Sequence, residues 1–222
     1  MAARHGIIRS IWRAIRQLNP DAAVEEAERR ICAHKPGPDG PPLDDAKLDE
    51  IRREVARRIV REVSRENALF VIATALGDVI PSVFAPLIGI AEAASDTVVL
   101  TANQVRMLFL LGAVHGRRPG YSAQWREILS IVGAALGWRS VARSLVGKIP
   151  FGGGLVPKGA VAYAGTTVVG EGLIFYYTTG RRMTRAEIGQ AFKRAYCEAV
   201  GTVKSLVGRA EAESPGSGSG AD

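Results

Sequence analysis

The feature that most constrains this chain is a charge-poor block that runs from Asn67 to Gly180. The block holds 13 of the chain's 51 formal charges, and the flanking segments hold the rest. Apolar surface on this scale must be removed from water, by a protein core, a bilayer or a partner. The block therefore constrains the surroundings of the protein more strongly than it indicates any reaction.

Composition narrows the class of protein. A chain of 222 residues is long enough to bury one sizeable core. The net charge of +7 is spread along the chain without a dense basic tract, so it favours anionic lipid surfaces over a dedicated nucleic-acid interface. Cys32 and Cys197 lack metal-ligand spacing and indicate free thiols in a reducing compartment. The N-terminus lacks the apolar run of a cleaved secretory signal.

Residues 1–34 predict two amphipathic helices. Apolar residues recur at helical spacing between Ile7 and Leu18, and Asn19 and Pro20 have the residue types of a helix N-cap and first position. The first helix is either an interfacial membrane anchor or a helix docked on the protein's own core. The anchor interpretation assigns the membrane surface to Trp12, Arg9, Arg13 and Arg16.

Residues 35–43 are a linker by composition, since Pro and Gly at this density cannot continue a helix. Residues 44–66 predict a charged helix that begins at Asp44 or Asp45 and runs straight into the block. Its apolar stripe consists of Ile51, Val55, Ile59 and Val63.

The block itself divides into four apolar segments, at about 68–91, 95–115, 123–146 and 156–179. They show no useful strand alternation, so the sequence predicts an all-α fold: a helical-hairpin bundle of about four apolar helices with charged flanking helices. Residues 183–210 predict a charged C-terminal helix with a capping box at Thr184 and Glu187. Residues 211–222 have the composition of a disordered tail.

Membrane insertion of these segments is marginal. No stretch of 18 uncharged apolar residues exists, and the apolar gain of the first segment is offset by Asp78, Pro81 and Pro86. Helices of this kind can still enter a bilayer as a packed group that pairs its charges internally. A membrane-associated bundle and a soluble bundle both stay open, as does a re-entrant region at Pro81–Pro86.

The sequence offers no constellation typical of catalysis. The glycines at 152–154 with nearby Lys158 lack the spacing of a P-loop, and the three histidines lack ligand spacing. The block also lacks the paired carboxylates that acid–base catalysis uses. We expect a protein that is not an enzyme, with no cofactor, no metal, no nucleic acid and no small-molecule substrate.

Polar residues interrupt the second apolar segment. Thr97, Thr101 and Gln104 fall on one helical stripe, and Asp96 and Asn103 fall on an adjacent one. This arrangement is typical either of a polar channel or partner-docking seam, or of interhelical hydrogen bonds that fix packing.

Several short motifs follow one another through the block. They are ASD at residues 94–96, LTANQVRM at 100–107, GWR at 137–139, ARSLVG at 142–147, AYAGT at 162–166 and YYTTG at 176–180. In this order they resemble the YcjF-like domain of unknown function, a helical family of bacterial membrane proteins that is also found behind small GTPase domains. The resemblance covers roughly residues 67–182.

The resemblance implies a membrane-associated module on the cytoplasmic side of the bacterial inner membrane that docks a partner protein such as a GTPase. The alternative is a cytoplasmic helical scaffold or homodimer whose apolar faces form a closed core. Longer relatives carry a nucleotide-binding-like domain, which residues 35–66 lack, so GTPase activity is not transferred. The candidate packing or partner-docking residues are Asp96, Thr101, Asn103, Gln104, Arg106, Trp138, Arg139, Arg143 and Lys158.

Overall fold

The described residues form helices throughout, without a strand. The computed structural model describes residues 2–37, 44–76, 96–133 and 154–213. The helices are α1 (Ala2–Ile15), α2 (Pro20–Cys32), α3 (Asp45–Leu76), α4 (Asp96–Val114), α5 (residues 125–133), α6 (Leu155–Thr179) and α7 (Arg185–Glu213). They pack as a bundle, which confirms the all-α prediction.

The helix ends follow the capping signals in the sequence. The Asn19 side chain accepts a hydrogen bond of 3.0 Å from the backbone amide two residues later, and Asp44 caps α3 in the same way at 2.7 Å. Thr184 and Glu187 form the predicted capping box, with hydrogen bonds of 2.7 and 3.3 Å. Gly180 ends α6 in the left-handed conformation with φ 75°, which glycine adopts without strain.

Helix α3 continues without a break from the charged segment into the apolar block. Its predicted stripe is buried, from Ile51 at one end to Val63 at the other. Its outer side is charged, and Glu54 pairs with Arg58 at 3.3 Å and with Arg61 at 3.4 Å. The expected continuous helix is therefore confirmed.

Helix α4 lies at the centre of the bundle, in contact with α1, α2, α3 and α6. Its window Thr97–Val114, with a mean hydropathy of 1.5, is the one helical stretch within the described residues that is long and apolar enough to cross a membrane. This window is 78% buried inside the protein. The apolar surface of α4 is thus covered largely by other helices of the same chain.

Helix α6 is packed between α3 and α7, antiparallel to α3. Gly170 lies against Val60, whereas Gly159 lies against Ile72, twelve residues later in α3. A Cβ atom at Gly170 would lie 2.8 Å from Val60 Cγ1 and closer still to Cγ2. The α3–α6 contact therefore requires glycine at position 170.

The bundle has one pole at which several helix ends meet. Helix α4 runs parallel to α6, because Gln104 contacts Thr166 and the open space beside Thr97 also borders Val161. Leu76, at the end of α3, and residues 96 and 154, at the starts of α4 and α6, consequently share one end of the bundle. We call it the α3 C-terminal pole.

The second and fourth apolar segments are confirmed as α4 and α6. The first is described as far as Leu76, and the third is helical over residues 125–133. Residues 211–213, predicted to begin the disordered tail, instead belong to α7, so this bound was wrong. The region Pro81–Pro86, the linker residues 38–43 and the tail from residue 214 lie outside the described residues.

Candidate functional site

A buried polar seam joins α3, α4 and α6. Each helix contributes amide, hydroxyl or charged side chains to it, and most of them are buried. We define the seam as Ser64, Glu66, Asn67, Asn103, Gln104, Arg106, Thr166 and Thr167. The seam crosses the otherwise apolar interior at the middle of the three helices.

Asn67 is the centre of the seam. Its Nδ2 donates to Thr166 Oγ1 at 2.8 Å, and its Oδ1 accepts from Asn103 Nδ2 at 2.8 Å. Gln104 Nε2 donates to the same Thr166 hydroxyl at 3.4 Å, and Ser64 bonds Thr167 at 2.9 Å between hydroxyls. These contacts connect three helices through side chains that are buried, except for the partly buried Thr167.

An ion pair closes the outer end of the seam. Arg106 Nη2 donates to Glu66 Oε2, and Asn103 Nδ2 reaches the same oxygen at 3.3 Å. Both charged side chains are partly exposed, which reduces the desolvation cost of the pair. Among the residues that the structure describes, the buried Asn103 Oδ1 and Arg106 Nε find no hydrogen-bond partner.

The seam is built to fix packing. Its groups are amides and hydroxyls whose hydrogen bonds are satisfied mainly by one another, and a buried amide or hydroxyl without a partner costs about 1–3 kcal/mol. Each bond therefore selects one register of α3, α4 and α6 over its neighbours. This geometry agrees with the packing interpretation of the polar residues on α4.

The structure brings only some of the predicted site residues together. Asn103, Gln104 and Arg106 lie in the seam, and Thr101 is buried beside it with its hydroxyl donating to the Thr97 carbonyl. Lys158 is exposed near the start of α6. The side chain of Asp96 and the residues Trp138, Arg139 and Arg143 lie outside the described part of the chain.

The N-terminal residues lie on a docked helix. Ile11 and Ile15 of α1 are fully buried in the core that contains α4, and Trp12 packs partly buried against it. The three arginines, Arg9, Arg13 and Arg16, are exposed. The docked interpretation of α1 agrees with this burial, and the exposed arginines are left on the outer side.

The seam residues on α3 were not predicted from the sequence. Ser64 and Asn67 are three residues apart and thus share a face of α3 with Val60 and Val71. An amide and a hydroxyl at helical spacing on an apolar stripe would have been the signal.

A second polar contact lies at the opposite pole. Gln124 Nε2 donates to the Tyr177 hydroxyl at 2.8 Å, the His115 ring lies 5.5 Å from the Tyr177 ring, and Arg117 stacks over Tyr177 at 4.9 Å. Burial raises the pKa of Tyr177 and lowers the pKa of His115. Both shifts favour the neutral forms, as expected of a packing contact.

An open apolar groove lies between α5, α6 and the start of α7. Its volume is about 310 Å³. The residues that line it include Ile131, Leu173, Met183 and Ile188, with Glu127 and Arg182 among them. Ile188, which lines the groove, is 38% exposed, and α5 also exposes two large apolar side chains that do not line it, Trp125 at 51% and Leu129 at 46%.

The described residues contain no site arranged for metal binding or thiol chemistry. No group of three or more His, Cys, Asp or Glu residues there could hold a metal ion. Cys32 and Cys197 are exposed free thiols.

No protein-family model, curated protein or solved structure matches the chain. The resemblance to the YcjF-like domain consequently stays a prediction from the motifs.

Proposed function

We propose that this chain is a non-enzymatic helical module that attaches to a membrane surface and docks a partner protein there. One observation carries the proposal. Two apolar segments, residues 77–95 and 134–153, each lead into a helix that begins at the α3 C-terminal pole. The first leaves α3 and returns to α4, and the second leads back to the start of α6.

The direction of α5 supports a shared pole for both segments. Gln124, just before α5, contacts Tyr177 near the end of α6, whereas Ile131 borders the groove beside Val168. Helix α5 therefore runs back along α6 in the direction of the α3 C-terminal pole as far as residue 133.

The composition of the two segments suits a lipid surface. Residues 77–95 carry two formal charges, both acidic (Asp78 and Glu92), whereas residues 134–153 carry three, all basic. The basic residues are Arg139, Arg143 and Lys148. Apolar residues that enter the acyl region and basic residues that meet anionic headgroups are what a surface-attached protein needs.

The rest of the bundle favours attachment at one pole over a span through α4. Helix α4 is surrounded by protein, and the outer sides of α3 and α7 carry ion pairs, such as Arg181 with Glu187 at 2.7 Å, that belong in water. A water-facing bundle with one apolar pole matches a protein that lies on a bilayer rather than across it.

The resemblance to the YcjF-like family supplies the finer part of the proposal. It places the module on the cytoplasmic side of a bacterial inner membrane and makes a GTPase the expected partner. The exposed apolar side chains of α5, Trp125 and Leu129, are the surface that a partner would cover.

A second candidate is a soluble helical scaffold or homodimer. The docking of α1 and α2 on α4 favours it, because the core around α4 is closed by the chain's own helices. In this candidate the exposed apolar side chains of α5 face a second copy.

Fractionation of the full-length, tag-free chain separates the two candidates. We expect the chain in the membrane pellet of expressing bacteria, with partial or full release by alkaline carbonate because attachment is at the surface. Phe84→Asp with Ile88→Asp places two charges in the first apolar segment, at about 3 kcal/mol each on an insertion scale. This double variant should move to the soluble fraction.

The matched control is Trp125→Asp with Leu129→Asp. It makes the same chemical change at two side chains that are already half exposed, so it should keep the chain in the pellet. Circular dichroism checks that both double variants are helical. Recovery of the wild-type chain as a detergent-free soluble monomer or dimer contradicts the proposal and supports the second candidate.

A further inference from the structure

The groove between α5, α6 and α7 has the size of a small-molecule site. Its 310 Å³ lies at the lower end of the roughly 300–1,000 Å³ that ligand pockets occupy. A partner helix, about 10 Å across with its side chains, needs more room. A single hydrocarbon chain is narrow enough to lie along apolar walls of this kind.

Gly172 leaves the wall of the groove open. A Cβ atom at this position would meet nothing within 4 Å, although the glycine lies in the middle of α6 and its neighbour Leu173 is buried. Glycine in a helix interior costs about 1 kcal/mol relative to alanine. The space that its missing side chain would occupy belongs to the groove.

Two opposite charges line the otherwise apolar groove. Glu127 comes from α5, and Arg182 comes from the turn between α6 and α7. Neither forms a salt bridge within the described part of the chain, with each other or with a third residue. Ser130 on α5 adds a hydroxyl that donates to the Arg126 carbonyl at 2.8 Å and can accept a further hydrogen bond.

We propose that this groove binds one zwitterionic amphiphile of the phospholipid type. Its hydrocarbon chain lies on the apolar walls past Gly172, its phosphate contacts Arg182 and its ammonium group contacts Glu127. The ring of Tyr176, which also lines the groove, offers a face to the same ammonium group. The assignment rests on the proposed membrane attachment, because a protein at a bilayer meets such lipids at high local concentration.

The probe is dodecylphosphocholine below its micelle concentration, added to the full-length chain. Binding is followed by titration calorimetry, and we expect a saturable site with one molecule per chain. Dodecylmaltoside has the same chain with an uncharged head, and we expect it to bind about 3-fold or more weakly, as exposed charge contacts are worth up to about 1 kcal/mol.

The blocking variant is Gly172→Leu. The added side chain enters open space, so the fold is retained, and it displaces several methylene groups of the ligand. At about 0.8 kcal/mol per buried methylene, we expect binding to weaken at least about 10-fold. The matched control is Gly201→Leu on α7, another exposed helical glycine with nothing within 4 Å of its Cβ position. It should leave binding unchanged.

The head-group contacts have their own variants. Arg182→Gln and Glu127→Gln should each weaken the phosphocholine probe and leave the maltoside probe unchanged, so that the preference between the probes shrinks. Equal affinity for both probes, or unchanged binding in Gly172→Leu, overturns the assignment.

The test is separate from that of membrane attachment. The probe is monomeric and no membrane is present. The double variant Phe84→Asp with Ile88→Asp should therefore still bind the probe, although in the fractionation experiment it moves out of the membrane pellet. If the chain stays in the membrane pellet but Gly172→Leu does not weaken probe binding, the groove site alone is refuted. A soluble wild-type chain that binds the probe through the groove refutes membrane attachment alone.

Discussion

Helix α6 has two faces that differ sharply in how they are packed. Toward α3 and α4, its backbone comes so close that Gly170 has no room for a methyl group, and the buried seam joins Thr166 to Asn67. Toward α5, Gly172 borders an open groove of about 310 Å³. Two glycines that are two residues apart thus have opposite roles: Gly170 permits a close contact, and Gly172 leaves space open.

The difference shows what holds this bundle in register and what it leaves available. The tight face combines close backbone approach with directional hydrogen bonds, so it specifies one arrangement of α3, α4 and α6. The open face adds no such constraint and keeps an apolar surface accessible. Four substitutions test whether the two faces are as different as this comparison states.

Loss of the seam's central amide should have the largest effect. Asn67→Leu keeps the approximate shape but removes the hydrogen bonds to Asn103 and Thr166. Because both partners stay buried, we expect the free energy of unfolding to fall by about 3 kcal/mol. Urea denaturation followed by circular dichroism measures it.

The double variant Asn67→Leu with Asn103→Leu is the control for the seam. When both amides are replaced by apolar groups, fewer polar atoms are left without partners, so the double variant should lose less than the sum of the single losses. Strict additivity would show that the two amides do not depend on each other.

Gly170→Ala should come next. The added methyl group collides with Val60, a β-branched residue that cannot turn away, and overpacking of this kind costs about 1–3 kcal/mol. Alanine's better helix propensity returns part of this, so we expect a net loss of about 2 kcal/mol on urea denaturation. In a Val60→Ala background the same substitution should cost clearly less, and an equal cost there would refute the clash.

Gly159→Ala should have a smaller effect on the same face. Its Cβ atom would lie 2.9 Å from Val203 Cγ1 and 3.2 Å from Ile72 Cδ1. Val203 is β-branched like Val60, but this overlap is smaller than the one at Gly170, where two Val60 atoms lie within 2.8 Å. The Ile72 atom ends a flexible chain, which can shift by a few tenths of an ångström. We expect a net loss of about 1 kcal/mol or less, from the same denaturation experiment. A loss as large as that of Gly170→Ala would mean that α7 and α3 cannot yield here.

The sequence predicted the helices well because their ends are encoded locally. Asn19, Asp44, Thr184 and Gly180 each act on backbone groups within a few residues, so their types and spacing were sufficient. The buried stripe of α3 followed in the same way from its helical period.

The sequence did not predict which side chains of different helices pair with one another. The polar residues of α4 were recognised, but their partner Asn67 was not, because nothing local links residues 36 positions apart. The sequence also did not decide whether α1 is a membrane anchor or a helix docked on the core, since an amphipathic helix has the same pattern in both cases. From the sequence alone the roles of Gly170 and Gly172 cannot be distinguished, because they depend on the residues that surround each glycine in the fold.

Gly172→Ala should have the smallest effect and the opposite sign. A methyl group there meets nothing within 4 Å, so alanine's helix propensity acts without a packing cost and the free energy of unfolding should rise by about 0.5–1 kcal/mol. Gly201→Ala on α7, measured by urea denaturation alongside it, should gain a similar amount. A loss at position 172 with a gain at position 201 would mean that the groove is closed in solution. Equal gains would show that the two faces of α6 use glycine differently. On one face glycine is required for the close contact with α3, and on the other it keeps space free at a cost in stability.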